Sequence, residues 1–218
     1  MTRYRTILFD LDGTLVDSYE ALTEAINTML RAHGRSLIEG DAIKELVGEG
    51  VERLIEKTFA GNVPDGAQAM FEGRYDEVCC ERSRLLDGVM ETLDALHALG
   101  VAMAVCTNKP TSFSRKILEH LGVARHFRAI VGPDLAGARK PDAQHVRHTM
   151  QAAGGARDET IFVGDMPIDV SAARNSGIDV AVIATGSSDA ADLRAATPDF
   201  LLARFSDLIH VVREGALE

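Results

Sequence analysis

The sequence predicts an α/β fold with a Rossmann-like parallel sheet core and an inserted all-helical cap domain. Short, continuous apolar runs alternate with amphipathic segments over most of the chain, which is the pattern of βαβ units. One interval, about 16–84, interrupts this alternation after the first strand and shows only helical periodicity. We therefore expect an α/β core domain made of residues 1–15 and 85–218, and a helical cap domain made of residues 16–84.

The predicted strands are short and almost wholly apolar. Strands of a parallel sheet have this composition because helices cover both faces of the sheet. Turn and loop residues bound each apolar run, which separates these strands from buried helix segments. The predicted strands are 6–9, 101–106, 129–131, 160–163, 179–183 and 200–202.

The predicted helices carry apolar residues on one face, and most of them end at a glycine. Gly34, Gly100, Gly122 and Gly177 are such stop signals. In the cap, the turns fall at Gly48 and at 61–66. The predicted helices are 16 to about 33, shorter pieces within 37–82, and then 89–99, 113–121, 143–153, 168–176 and 205–213.

The chain is acidic, with 33 Asp and Glu residues against 23 Lys and Arg residues, a net charge of −10. Without a basic stripe, neither nucleic acid nor an anionic membrane is expected as a partner. The first apolar run is too short for a signal peptide, and the three cysteines form no C-x-x-C pair. These features favour a cytoplasmic protein with reduced thiols, and they leave monomer or homodimer open.

Polar side chains follow four of the predicted strands. Ligands of open α/β sheets bind beyond the carboxyl ends of the strands, so these groups should converge on one site. Their order along the chain matches the order of the strands. The groups are Asp10-Leu-Asp-Gly-Thr14, Thr107-Asn108, Lys140-Pro141 and the pair Asp165 and Asp169.

The acidic members of this set indicate a divalent metal. Asp10 and Asp12 are two positions apart, so both side chains point to the same side of extended chain. Asp165 and Asp169 are one helical turn apart. Four carboxylates at one rim would repel one another, and a hard cation relieves that repulsion. Because no His/Cys set favours zinc, Mg²⁺ is the expected cofactor.

The remaining members suit a phosphate group. The Thr107 hydroxyl, the Lys140 ammonium and the backbone N–H groups around Gly13 and Asn108 are all hydrogen-bond donors. Each feature alone has a simpler explanation: an Asp-x-Asp turn, a helix cap or a surface Lys-Pro. Their joint occurrence in this order, each after a predicted strand, favours a functional site.

Taken together, these motifs resemble the four ordered motifs of the haloacid dehalogenase-like hydrolases. The opening Asp-x-Asp-Gly-Thr is the form found in the family's phosphoryl-transfer members, and Thr107-Asn-Lys-Pro110 with Val163-Gly-Asp165 is most similar to the phosphoglycolate phosphatase subgroup. The resemblance covers nearly the whole chain and includes a helical cap. One departure is Met166, where many relatives carry serine.

The resemblance implies a role for each residue. Asp10 would be the nucleophile that forms an aspartyl-phosphate, and Asp12 the general acid and base. Thr107 and Lys140 would stabilise the phosphoryl oxygens, and Asp169 would orient either Lys140 or a metal-bound water. The implied metal ligands are Asp10, Asp12 through its backbone carbonyl, and Asp165. The implied activity is a Mg²⁺-dependent phosphatase for a small phosphorylated metabolite, 2-phosphoglycolate being the first candidate.

Three alternatives remain open from the sequence: a sugar-phosphate mutase of the same family, a pyrophosphatase or nucleotidase, and a binding protein without activity. The loop 47–51 is expected to face the site, because its glycines allow close approach of the backbone. Arg53 is the candidate partner for a carboxylate on the substrate, and a role on the protein surface is the alternative. Phe59, Phe71 and Tyr75 are expected in the hydrophobic core of the cap.

Overall fold

The structure is a computed structural model that describes residues 2–216. It contains one six-stranded parallel sheet and one two-stranded antiparallel sheet. In chain order the strands are β1 (Thr6–Phe9), β2 (Val16–Asp17), β3 (Arg84–Leu85), β4 (Ala102–Cys106), β5 (Ala129–Val131), β6 (Thr160–Gly164), β7 (Asp179–Ile183) and β8 (Phe200–Leu202). The α-helices are α1 (Tyr19–Ala32), α2 (Val51–Thr58), α3 (Ala67–Val78), α4 (Val89–Ala98), α5 (Thr111–His120), α6 (Pro133–Ala136), α7 (Ala143–Ala153), α8 (Pro167–Ser176), α9 (Ala190–Ala195) and α10 (Leu208–Glu214).

The large sheet has the strand order β5-β4-β1-β6-β7-β8, with β1 at its centre. In the register of the sheet, Ile7 of β1 lies opposite Met103 of β4 and Ile161 of β6. All four residues of β1 are buried, as expected for a strand covered on both faces. The carboxyl ends of β1, β4 and β6 therefore lie side by side at one edge. The predicted Rossmann-like α/β core is confirmed.

Helices cover both faces of this sheet. Side chains alternate along a strand, so Ile7 and Phe9 enter one hydrophobic cluster while Leu8 enters the other. Helices α7 and α8 complete the Leu8 side, whereas α4, α5 and α10 complete the opposite side. This three-layer arrangement leaves the strand ends as the accessible part of the core.

The chain between β1 and β4 is mainly helical. Within residues 18–83, all described, the structure has helices and turns and no strand. Helix α1 packs against α3, and a 3₁₀ helix at Gly40–Glu45 joins α1 to α2. The side chains of Leu22, Ile26 and Met29 form the buried face of α1.

The two connectors of this helical segment pair with each other as β2 and β3. Val16 lies opposite Leu85 and Asp17 opposite Arg84, and Arg84 Nη2 lies 2.6 Å from Asp17 Oδ2. The expected helix start at residue 16 is therefore wrong, because α1 begins at Tyr19. Two-residue strands are too short to show any periodicity in the sequence.

Most other predicted elements are confirmed to within about two residues, but two short helices are absent from the prediction. These are α6 and α9. The start of α9 does carry a signal, since the Asp189 carboxylate accepts hydrogen bonds from the backbone N–H groups of Ala191 and Asp192 at 2.8 and 2.9 Å. None of the helices described is long and apolar enough to span a membrane.

Candidate active site

The loops that follow β1, β4 and β6 meet at the carboxyl edge of the sheet. They carry Asp10, Thr107 and Asp165, while the loop before α7 supplies Lys140 and α8 supplies Asp169. All five side chains are buried. The structure thus places residues that are far apart in sequence at one position in space.

Lys140 lies between two carboxylates. Its Nζ is 2.8 Å from Asp10 Oδ1 and 2.7 Å from Asp169 Oδ1, and it sits 5.4 Å from the centre of the Phe162 ring. Burial alone would lower the pKa of Lys140, but the two carboxylates raise it above its ordinary value. The ammonium is therefore charged at neutral pH, and its contacts fix it beside Asp10.

Asp169 organises the loop as well as Lys140. Its Oδ2 accepts hydrogen bonds from the backbone N–H groups of Asp165 and Met166 at 3.1 and 3.0 Å. These N–H groups lie at the start of α8, where donors have no partner within the helix. Asp169 therefore links the Lys140 ammonium to the loop that carries Asp165.

Asp165 is held by polar contacts and by close packing. Its carboxylate accepts hydrogen bonds from Thr14 Oγ1 at 2.9 Å and from the backbone N–H of Ser187 at 3.1 Å. A Cβ atom on Gly13 or Gly186 would lie 2.8 or 2.5 Å from Asp165 Cγ, closer than real contacts allow. Glycine at both positions leaves room for this buried carboxylate.

The carboxylates of Asp10, Asp165 and Asp169 form a cluster that fits a metal ion. Their ligand oxygens lie within 4.8 Å of one another, and no other such group occurs within residues 2–216. Burial raises the pKa of Asp10 to about 6, and burial with the neighbouring carboxylates raises that of Asp165 well above its ordinary range. The cluster holds three acids, and one ammonium, that of Lys140, pairs with two of them, Asp10 and Asp169. A hard cation such as Mg²⁺ would balance this charge.

The carboxylate of Asp12 lies outside this cluster. Its Oδ1 accepts hydrogen bonds from Ser18 Oγ and, at 2.5 Å, from Lys109 Nζ. The Asp12 side chain is 21% exposed, in contrast to the buried metal cluster, and it lines the cleft beside Asp10. The Asp12 carboxylate is thus not placed to bind the metal, and the expected ligand atom of Asp12 is its backbone carbonyl oxygen.

Lys109 connects Asp12 to the helical segment. Its Nζ donates a hydrogen bond to Tyr75 Oη at 2.7 Å. Burial would lower the pKa of Lys109, but Asp12 and Tyr75 raise it above its ordinary value. The Tyr75 ring stacks on Phe71 and meets Phe113 edge-on, with ring centres 5.6 and 5.1 Å apart. A charged ammonium is therefore held at the cleft by a rigid aromatic group.

Asn108 joins three parts of the site through its side-chain amide. Its Nδ2 donates to the backbone carbonyls of Lys140 and Gly48 at 3.1 and 3.0 Å, and its Oδ1 accepts from the backbone N–H of Lys140 at 2.7 Å. The amide is thus occupied by protein groups. Asn108 positions Lys140 and holds the 47–51 loop through its side chain, so its backbone N–H is the part left for the expected phosphate contact.

The backbone N–H groups that are free to bind a phosphate differ in part from those expected around Gly13 and Asn108. The N–H of Gly13 donates to the Val16 carbonyl at 2.8 Å, so Gly13 is not a phosphate donor in this arrangement. The backbone N–H groups of Asp12 and Asn108 have no hydrogen-bond acceptor within the described chain. Thr107 Oγ1 accepts from the Lys109 N–H at 3.2 Å, which leaves its hydroxyl proton available.

A narrow cleft lies between these residues and the helical segment. Its volume of about 50 Å³ has room for only a few water molecules. The polar wall is formed by Asp10, Asp12, Thr107, Asn108 and Lys109. The rest of the lining is largely apolar. From the helical segment it comprises Leu22, Val47, Val51, Leu54, Phe71 and Tyr75, and from the core Phe113 and Met166.

The 47–51 loop lies over the cleft, as the sequence predicts. A Cβ on Gly50 would lie 3.3 Å from the Asn108 carbonyl oxygen, so the two backbones are close. Arg139 reinforces this contact, since its Nη2 lies 3.1 Å from Glu52 Oε2 and its Nη1 donates to the Glu49 carbonyl at 3.3 Å. The loop is thus fixed to the core from two directions.

Arg53 does not line the cleft, so of its two expected roles the structure agrees with the one on the surface and not with a contact to a substrate carboxylate. Its side chain is 54% exposed and pairs with Glu56 at 2.5 Å and Glu49 at 3.8 Å. Glu56 lies three positions after Arg53 on α2, and Glu49 lies four positions before it, just ahead of the helix, so both carboxylates reach the guanidinium. Phe71 and Tyr75 are buried as expected, but they line the cleft as well.

Sequence reasoning missed Lys109 and its contacts. Lys109 directly follows Thr107-Asn108, so its position just after a predicted strand also indicates a place at the site. Tyr75 and Ser18 carried no such signal, because each lies within or beside a helix of the inserted segment. Arg139 precedes Lys140 and could have been found on the same grounds as Lys109.

Comparison with known proteins shows the family. The family model for the haloacid dehalogenase-like hydrolases matches residues 7–183. A phosphoglycolate phosphatase of Agrobacterium fabrum is 36% identical over 84% of this chain and 81% of its own, and one of Photobacterium profundum is 33% identical over 95% of both chains.

A solved structure supports the same relationship. The crystal structure of a predicted phosphoglycolate phosphatase from Haemophilus somnus 129pt superposes with a TM-score of 0.88 at 28% identity. The match covers 98% of this chain and 100% of that one. This chain therefore belongs to the haloacid dehalogenase-like hydrolases, as a phosphatase that resembles the phosphoglycolate phosphatases.

Proposed function

We propose that the protein is a Mg²⁺-dependent phosphatase that hydrolyses a small phosphorylated metabolite, with 2-phosphoglycolate as the first candidate. The observation that carries this is the position of Asp10. It lies at the mouth of a small cleft, paired with Lys140 and joined to two further buried carboxylates. A carboxylate and a cation so placed can attack and bind the same phosphoryl group.

In the first step, a carboxylate oxygen of Asp10 forms a bond to phosphorus and the ester P–O bond breaks. Asp12, in its protonated form, gives its proton to the departing alkoxide oxygen. Asp12 suits this task because its side chain lines the cleft beside Asp10 and remains partly exposed. The products of this step are the free alcohol and an aspartyl-phosphate at Asp10.

In the second step, water attacks the phosphorus of the aspartyl-phosphate. The ionised Asp12 takes a proton from this water, the bond between the Asp10 oxygen and phosphorus breaks, and inorganic phosphate leaves. Lys140, the Thr107 hydroxyl and the backbone N–H groups of Asp12 and Asn108 stabilise the charge on the phosphoryl oxygens. Both carboxylates return to their starting state.

The metal would be held by Asp10, by the backbone carbonyl of Asp12 and by Asp165. Bound there, Mg²⁺ would neutralise charge on the phosphoryl oxygens. Asp169 would support Asp165 and Lys140, as its hydrogen bonds indicate. This assignment agrees with the charge imbalance of the carboxylate cluster.

We further propose that residues 16–84 act as a cap over the core made of residues 1–15 and 85–218. The paired strands β2 and β3 form the connection between the two parts. A closed cap excludes bulk water and shapes the space for the leaving group. The narrow, largely apolar space beside Asp12 favours a small leaving group over a nucleotide or a sugar.

The test is a phosphate-release assay with purified protein, Mg²⁺ and a panel of monoesters. We expect the largest kcat/KM for 2-phosphoglycolate. A tenfold preference for a nucleotide or pyrophosphate corresponds to about 1.4 kcal/mol in transition-state binding. It would refute 2-phosphoglycolate as the preferred substrate, and it would not contradict the proposed reaction class. Conversion of a sugar phosphate to its isomer without release of phosphate would favour the mutase, and absence of any turnover would favour a binding protein.

A further inference from the structure

We propose that Lys109 and Tyr75 form the subsite for a carboxylate on the leaving group and so determine the substrate class. This inference rests on the proposed function, because it concerns the alcohol part of the same phosphate monoester. The two residues come from different parts of the chain, Lys109 from the loop after β4 and Tyr75 from α3. Both line the cleft beside Asp12.

Lys109 is the cation that the cleft offers to the leaving group. Among the described residues that line the cleft, it is the one with a positive charge, and Lys140, which pairs with Asp10, is not part of this lining. Its Nζ is 2.5 Å from Asp12 Oδ1, and Asp12 is the group that protonates the ester oxygen in the proposed mechanism. A carboxylate attached one carbon from that oxygen would therefore arrive beside Lys109.

Two hydrogen-bond donors at this position remain uncommitted. The Lys109 ammonium has three N–H groups, and two of them are bonded to Asp12 and to Tyr75 Oη. Tyr75 Oη accepts the bond from Lys109, and within residues 2–216 its own proton has no acceptor. The third N–H and the phenol O–H can thus bind two oxygens of one carboxylate.

The surroundings strengthen such a contact. Lys109 and Tyr75 are 7% and 1% exposed, and Phe71 and Phe113 pack against the Tyr75 ring. Charge interactions are stronger in an apolar, buried setting than in water. The same setting penalises a leaving group without a negative charge, because it leaves these donors unpaired. The subsite therefore both accepts carboxylates and rejects neutral groups.

The test compares two substrates that differ at one end only, 2-phosphoglycolate and ethyl phosphate, in which a methyl group replaces the carboxylate. We would measure kcat/KM for both with wild-type protein, Lys109→Met and Tyr75→Phe. Lys116→Met is the matched control, because Lys116 also bridges to α3, through Asp76, but on the exposed surface. Tyr75→Phe keeps the ring packing and removes only the hydroxyl.

We expect the ratio of kcat/KM for 2-phosphoglycolate over ethyl phosphate to fall about 10- to 100-fold in Lys109→Met, less in Tyr75→Phe, and not at all in the control. An equal loss for both substrates would overturn the inference, because Lys109 would then only position Asp12. A wild-type protein that releases phosphate from both equally would also overturn it. A wild-type protein that releases phosphate from no monoester would instead refute the proposed function.

Discussion

Gly48 and Met166 pack so closely that a Cβ on Gly48 would lie 2.5 Å from Met166 Sδ. Gly48 belongs to the 47–51 loop and Met166 to the loop before α8, so their contact joins the helical segment to the core beside the cleft. Gly48 has a φ of +109°, a backbone conformation that glycine adopts readily and other residues rarely adopt. Its carbonyl oxygen accepts a hydrogen bond from Asn108 Nδ2. The Met166 side chain therefore fills space that a smaller residue would leave to the substrate.

Replacing Met166 with serine should widen the range of leaving groups. Removing the thioether enlarges a cleft of about 50 Å³, so larger monoesters such as hexose phosphates should fit better. We expect kcat/KM for a hexose phosphate to rise severalfold relative to that for 2-phosphoglycolate. Met166→Leu, which keeps the volume, is the control and should retain the wild-type ratio. The same ratio in both variants would show that Met166 does not limit size.

Asp10→Asn should abolish turnover and leave the fold intact. An amide is a poor nucleophile and a weaker metal ligand, yet it has nearly the shape of the carboxylate. Because burial raises the pKa of Asp10, a neutral side chain should not destabilise the metal-free protein. Phosphate release and the thermal unfolding midpoint are the two measurements. Turnover above a few per cent of wild type would contradict the nucleophile assignment.

Asp12→Ala should turn over substrate far more slowly than the wild type while its metal cluster stays unchanged. General acid–base groups contribute roughly 10²- to 10⁴-fold to the rate, and the Asp12 carboxylate contacts Ser18 and Lys109 rather than the buried acids. We expect kcat to fall by that factor while metal affinity, measured by calorimetry, stays near the wild-type value. A large loss of metal affinity would show that the Asp12 side chain is a ligand after all.

Most of the candidate site could be predicted because its residues follow the ends of strands. The end of a strand can be recognised in the sequence as the last residue of an apolar run. The sequence predicts on this ground that Asp10, Thr107 and Asp165 converge, and the structure brings them together. The pairing of Lys109 with Tyr75 could not be predicted, because it depends on how α3 packs over the core. The expected contact of Arg53 with substrate is wrong for a related reason. Residue spacing shows which side chains share a face of a helix, but it does not show whether that face lies against the cleft or on the protein surface.

The same limit explains what was missed in the fold. The long elements were predicted from periodicity, whereas the short β2 and β3 owe their structure to pairing with each other. Their residues, Val16–Asp17 and Arg84–Leu85, have no local pattern that distinguishes them from a helix start or a loop. A contact between distant segments creates them, and a single sequence does not display such contacts.

Activity should depend on a divalent metal, with Mg²⁺ active and Ca²⁺ inhibitory. Ca²⁺ takes more ligands in a looser geometry, which should misplace Asp10 relative to phosphorus. Binding should also stabilise the fold, because the cation relieves repulsion among Asp10, Asp165 and Asp169. Phosphate release and the thermal midpoint, each with chelator and with Mg²⁺, check both effects. Full activity in excess chelator would refute the metal role.

Acid should destabilise the protein in part through His145. This residue is fully buried, and its Nε2 lies 3.2 Å from the Val131 carbonyl oxygen. Burial lowers the pKa of His145 from 6.5 to about 4. Above pH 6.5 the imidazole is neutral in both folded and unfolded chains. Between pH 6.5 and 4 the unfolded chain binds a proton that the folded chain does not, so the free energy of unfolding falls as pH falls.

Replacing His145 with glutamine, which can still donate to Val131, should remove this contribution. Between pH 7 and 4.5 we expect the wild type to lose roughly 2–3 kcal/mol more stability than His145→Gln, since one unit of pKa shift corresponds to about 1.4 kcal/mol. Urea unfolding at both pH values gives the four free energies, and the carboxylates common to both proteins cancel in the difference. If the two proteins lose stability in parallel, His145 does not titrate as the structure requires.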